Sequence, residues 1–142
     1  MTPRSADELM NDARARIDRV TTEQLESVLS EDGLLIDIRP EAQRAAEGSL
    51  PGALVVERNV LEWRLDLSGP HHLQQVTGYD QPVVVICSEG YASSFAAASL
   101  RELGFARAAD LDGGFKAWAT STGSEGGSAV EPSFTSDPSG AS

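Results

Sequence analysis

The chain contains one cysteine, Cys87, and the residue types around it suit a nucleophile. Cys87 ends the run Val83-Val-Val-Ile-Cys and is followed by Ser88, Glu89, Gly90, Tyr91, Ala92 and Ser93, where a helix-favouring stretch begins. Such a loop can curl so that successive backbone N–H groups point inward, with Gly90 free to take positive φ. The helix behind it aims the positive end of its dipole at the same point. Both features favour an anion, and the Cys87 sulfur is the nearest candidate. A free thiol titrates at about 8.5, and a helix N-terminus brings it down. Residues 88–93 are therefore the candidate cradle for a Cys87 thiolate. The competing reading is a buried structural cysteine, common for a lone Cys at a strand end.

Other side chains have two readings each. Arg58 follows a predicted strand, so it is a candidate substrate-binding cation at the same sheet edge; alternatively it pairs with Glu62 at i,i+4. Trp63 either walls the pocket or fills the core beneath the loop. Asp37 and Arg39 lie two apart, so one side of their strand holds both. Tyr91 and Ser93 offer hydroxyls to the site, or are a partner-facing tyrosine and a helix-start serine. His71-His72 has no other histidine and no nearby cysteine, so a surface loop is expected and no metal site. The carboxylates show no calcium-loop spacing. Asp112-Gly113-Gly114 is explained by a tight helix entry.

The elements that must position Cys87 can be read along the chain. Ser5 and Glu8 have capping-box spacing before a short helix with Leu9, Ala13 and Ile17 on one side. Thr21 and Gln24 repeat the signal before a second helix that ends near Leu29. Residues 34–39 (LLIDIR) read as a strand stopped by Pro40, and 41–47 (EAQRAAE) as a helix. Residues 54–57 form a second short strand, and Asn59 with Glu62 has capping-box spacing for a helix over 60–65. Residues 83–87, apolar without alternation, predict a strand buried on both faces of a parallel sheet. A helix follows from Ala92 to Leu103, with Ala92, Phe95, Ala96, Ser99, Leu100 and Leu103 as its apolar stripe and Gly104 as its stop. A weaker strand over 106–111 and a last helix from Gly113 complete an α/β pattern. In such sheets the site lies beyond the carboxyl ends of the strands, where Cys87 falls.

Composition narrows the partners. A net charge of −11 and a pI near 4.4 argue against nucleic acid and against anionic membrane surfaces. No run approaches the roughly 18 apolar residues of a membrane span, and the N-terminal residues lack a secretory h-region. A lone cysteine makes no internal disulfide, so a reducing, cytoplasmic setting is expected. Residues 120–142 are dominated by Ser, Thr, Gly and Pro and are expected to be a disordered acidic tail. The expected organisation is an N-terminal helical extension over 1–16, a domain over 17–119 and that tail.

Four motifs in order carry a family resemblance: LLIDIRP (34–40), GSLPGA (48–53), VVVICSEGYAS (83–93) and LDGGFKAW (111–118). Over residues 17–119 the chain resembles a single-domain rhodanese, a thiosulfate or persulfide sulfurtransferase. With ERNVLEWRL (57–65) it is closest to bacterial members. The resemblance implies a mainly parallel five-stranded sheet flanked by helices on both faces. It implies that Cys87 carries a covalent persulfide between a small sulfur donor and a thiol or protein acceptor, with no other cofactor. It also implies a structural role for Asp37 and Arg39, as an ion pair ordering the sheet edge. Related phosphatases and arsenate reductases place an Arg six residues after the Cys; here Ser93 stands there. The loop departs from many active rhodaneses in having no Arg or Lys, and Glu89 adds negative charge, which predicts weak thiosulfate binding. Ser49 stands in place of the family's usual His. A rhodanese-fold binding module without turnover is the alternative to the enzyme.

Overall fold

Two reciprocal caps start the fold, as their spacing predicts. In this computed structural model, which describes residues 2–122, the Ser5 hydroxyl accepts from the Glu8 N–H and the Glu8 carboxylate accepts from the Ser5 N–H, opening α1 (Ala6–Ala15). Thr21 and Gln24 do the same for α2 (Thr22–Leu29). Each such cap stabilises its helix by about 1 kcal/mol. Between the two helices runs β1 (Asp18–Val20). Sequence reading did not find this strand, because Asp18 and Arg19 give it no apolar pattern. It exists through its partner: Asp18, Arg19 and Val20 pair with Ala109, Asp110 and Leu111.

The chain continues through β2 (Leu34–Asp37), α3 (Glu41–Glu47) and β3 (Leu54–Val55). After a 3-10 turn (Arg58–Val60) come α4 (Leu61–Leu65), β4 (Val83–Ile86), α5 (Ala92–Leu103), β5 (Ala108–Leu111) and α6 (Gly114–Thr122). The five strands form one parallel sheet in the order β1-β5-β4-β2-β3. All their carboxyl ends therefore lie along one edge. β4 is the central strand, and its four residues are fully buried. Its side chains alternate between two cores. Val83 and Val85 pack with Leu100, Ala97 and Ala13 on one face; Val84 and Ile86 pack with Leu25, Leu111 and Phe115 on the other. Both faces of the sheet are thus covered, which is why the run is apolar without alternation.

Several local expectations are corrected. Cys87 is not the last strand residue; the ladder ends at Ile86 and Cys87 already belongs to the loop. Asn59 does not cap α4, whose N-cap is Val60 without a side-chain bond, because Glu62 is taken by Arg58 and Ser99. The buried face of α5 is Ser93, Ser94, Ala96, Ala97, Ala98 and Leu100, while Phe95 is 39% exposed. α5 is packed by β4, β5, α1 and α4 together, so small residues on several sides are buried and the largest one is turned out. Leu9, expected on the apolar side of α1, is also exposed. α6 continues through Thr122, past the boundary expected after Ala119; the rest of the expected tail, 123–142, lies outside the described residues. Among the described residues no helix is long and apolar enough to cross a membrane.

Candidate active site

The sheet edge places Cys87 between β4 and the N-terminus of α5, and the loop closes around its sulfur. The Gly90 N–H donates to Sγ at 3.2 Å and the Ser93 N–H at 3.3 Å. Gly90 permits this with φ +91; a Cβ there would lie 2.9 Å from the Gly113 nitrogen. Tyr91 follows in the right-handed region, so the pair has the alternating handedness of an anion-binding nest. Cys87 also has the burial that the competing structural reading expects. It is 3% exposed, because the loop that turns its amides inward also wraps the sulfur.

Each part of the loop is held from outside. The Cys87 and Ser88 carbonyls accept from the Phe115 and Lys116 N–H groups, at 2.8 and 3.0 Å. This close approach requires Gly114, where a Cβ would lie 2.5 Å from the Cys87 carbonyl oxygen. The Ser88 hydroxyl shares its one proton between Gln43 Oε1, at 2.8 Å, and the Glu47 carboxylate, at 3.0 Å. Glu47 also faces Arg39, which is fully buried and forms a two-pronged pair with Asp37, at 2.8 and 3.0 Å. The Arg39 guanidinium lies 4.0 Å over the Phe115 ring. Asp37 and Arg39 therefore tie β2 to α3 and α6 beneath the loop, without touching the sulfur.

On the opposite flank stands a network that sequence reading missed. Asp110, fully buried on β5, accepts from the Ser93 hydroxyl at 2.8 Å and the Ser94 hydroxyl at 2.7 Å. Arg19 on β1 pairs with Asp110 at 3.0 Å and with Asp112 at 3.1 Å. Burial works against the Arg19 charge, but Asp110, Asp112 and the Cys87 sulfur more than offset it, holding the guanidinium above its ordinary value. The Gly90 carbonyl accepts from Arg19 Nη2 at 2.9 Å and from Arg14 Nη2 at 2.7 Å. Arg14 also donates to the Ser94 hydroxyl and lies over the Tyr91 ring.

The loop itself has no Arg or Lys, as read from the sequence, but other elements bring cations to it. Arg14, Arg19 and Lys116 supply three cations at its rim, and Lys116 pairs with Glu89 at 2.9 Å. Arg58 does not supply the charge: it pairs with Glu62 at i,i+4 and makes no hydrogen bond to the loop. Trp63 is 60% exposed, so it does not fill the core. Ser93 contributes its N–H rather than its hydroxyl, which Asp110 occupies. Tyr91 and Ala92 are exposed at the loop tip and the first helical residue. One sequence signal could have found the missed network: a carboxylate inside the apolar stretch Ala108-Ala-Asp-Leu111 has to find buried partners.

Comparison with known proteins follows the same outline. The Rhodanese-like domain model matches residues 21–121. The thiosulfate sulfurtransferase GlpE of Pseudomonas fluorescens (strain Pf0-1) is 30% identical over 115 residues, covering 75% of this chain and 89% of that protein. GlpE of Pseudoalteromonas translucida (strain TAC 125) is 33% identical over 95 residues, covering 66% of this chain and 80% of that protein. Among solved structures, a protein of unknown function from Rhodopseudomonas palustris CGA009, described as a possible tyrosine phosphatase, superposes with a TM-score of 0.76 at 26% identity, covering 87% of this chain and 95% of that one. The human single-domain sulfurtransferase TSTD1 superposes with a TM-score of 0.59 at 26% identity, covering 72% and 95%.

Proposed function

The chain belongs to the rhodanese-like domain family, and from that membership we propose that it is a sulfurtransferase in which Cys87 carries the sulfur as a persulfide. The observation that carries this reading is the pair of N–H groups, from Gly90 and Ser93, aimed at Sγ. Donors fixed in this way stabilise negative charge on sulfur without reorganising during the reaction. In the first half-reaction the Cys87 thiolate attacks the outer sulfur of thiosulfate, forming an S–S bond. The S–S bond of the donor breaks, and its electron pair leaves with sulfite. The product is Cys87–S–S⁻, whose terminal sulfur bears the charge. In the second, an acceptor thiolate or other thiophilic anion takes that sulfur and regenerates the thiolate. A low-molecular-weight or protein persulfide serves equally as donor.

Two features favour sulfur over a phosphoryl group. The position six residues after Cys87 is Ser93, not Arg. Its hydroxyl is committed to Asp110 and so is not free to meet a phosphoryl oxygen. The steep burial of Cys87 also suits a donor that meets it end-on through a single outer sulfur.

The test is direct. Wild-type protein incubated with thiosulfate, or with a persulfide donor, should gain one sulfur atom by intact mass and lose it to cyanide or a thiol. Cys87→Ser should gain none. A reduced wild-type protein that never takes up sulfur from either donor would overturn the reading.

A further inference from the structure

The family match begins at residue 21, yet two of the groups that hold the cradle precede it. Arg14 ends α1 and Arg19 lies on β1, and both donate to one oxygen, the Gly90 carbonyl, at 2.7 and 2.9 Å. The chain has no cis peptide bond among the described residues. The N–H of Tyr91, in the same peptide unit, therefore points opposite to that carbonyl and away from the two guanidiniums. Before and after it in the loop, the Gly90 and Ser93 N–H groups are both aimed at the sulfur. Among the described residues the Tyr91 N–H has no hydrogen-bond partner. It is a donor held in place and left open.

We propose that Arg14 and Arg19 are positioning residues for the sulfur cradle: by gripping the Gly90 carbonyl they turn the Tyr91 N–H toward the incoming sulfur. The N-terminal helix is then part of the reacting unit rather than an appendage. The two arginines differ in what else they do. Arg19 neutralises the buried Asp110. Among the described residues Arg14 forms no ion pair; it is braced only by Gly90, Ser94 and the Tyr91 ring. Arg14 thus leaves a net positive charge against a peptide dipole whose N–H end faces the site. A charged donor polarises that peptide more than a neutral one would. The proposal rests on the sulfur-transfer reading for its kinetic readout but not for its geometric one.

Replacing Arg19 strips a buried carboxylate of its counter-charge and endangers the fold, so the decisive variant is Arg14→Gln. Single-turnover loading of Cys87 from thiosulfate should slow by about tenfold, the scale of a displaced but not deleted donor. Arg14→Lys, which keeps the charge and one donor, should recover most of the rate. Arg16→Gln, at the same helix end but paired with Glu102, should load as wild type does. The second readout is the amide resonance of Tyr91 in a 1H–15N spectrum, which should shift in Arg14→Gln with the rest of the spectrum preserved. Wild-type loading by a folded Arg14→Gln variant overturns the proposal. If wild-type protein takes no sulfur, the sulfurtransferase reading fails, and the amide alone decides the positioning: a shift supports it and an unmoved resonance overturns it.

Discussion

At Gly90 a single residue couples backbone conformation to chemistry. Its φ of +91 aims its own N–H at sulfur, and a methyl group there meets the Gly113 backbone, which cannot move aside as a flexible side chain would. Gly90→Ala is expected to cost about 1–3 kcal/mol in stability and to lose most sulfur loading even where it folds, measured by denaturant unfolding beside intact mass. Normal loading in a folded Gly90→Ala would mean the cradle tolerates another shape. Glu89 tests the local charge. It spends its charge on Lys116, so Glu89→Gln frees a cation at the rim. Thiosulfate loading should then rise roughly two- to fivefold at low salt, and the gain should shrink as ionic strength screens it. No gain at any salt would show that rim charge does not limit the donor's approach.

Helices α4 and α5 are joined by a charged contact rather than by apolar packing alone. Burial pushes the Glu62 carboxyl up, but the Ser99 hydroxyl and the Arg58 guanidinium pull it further down, below the usual glutamate range. A carboxylate depressed in the folded state stabilises the fold above its unfolded value, and the contribution disappears as pH falls through the folded value. The stability gap between wild type and Glu62→Gln should therefore be constant near neutrality and close below about pH 4. A gap that stays constant through that range would remove the link. α5 shows why burial could not be read from its own periodicity. Its stripe predicts one apolar face, but the helix meets neighbours on several sides, so Ser93, Ser94 and Ala98 are buried and Phe95 is not.

Over the whole molecule, the net charge of −11 opposes any small anionic donor. The second-order rate of thiosulfate loading should rise severalfold, roughly, between low and physiological salt, because like charges repel less when screened. A rate that falls with salt would mean that the rim cations dominate the approach. Four of the five strands beneath the site were legible in the sequence. The continuous apolar run 83–86, the capping boxes at Ser5 and Thr21 and the glycine after Leu103 are local signals, and each depends on residues within a turn of one another. Cys87 and its loop were legible for the same reason: cysteine, glycine and helix start are contiguous. The rest was not. Arg14 and Arg19 lie 76 and 71 residues before Gly90, and Asp110 lies 16 residues after Ser94; only the packing of α1 on α5 and the pairing of β5 with β1 and β4 bring them to the loop. Local sequence thus determined the strand, the turn and the place of the cysteine between them, since short-range sterics and hydrogen bonding select them. The tertiary structure alone decided which charges surround the sulfur, because a buried carboxylate or an open carbonyl takes its partner from whatever element packs against it.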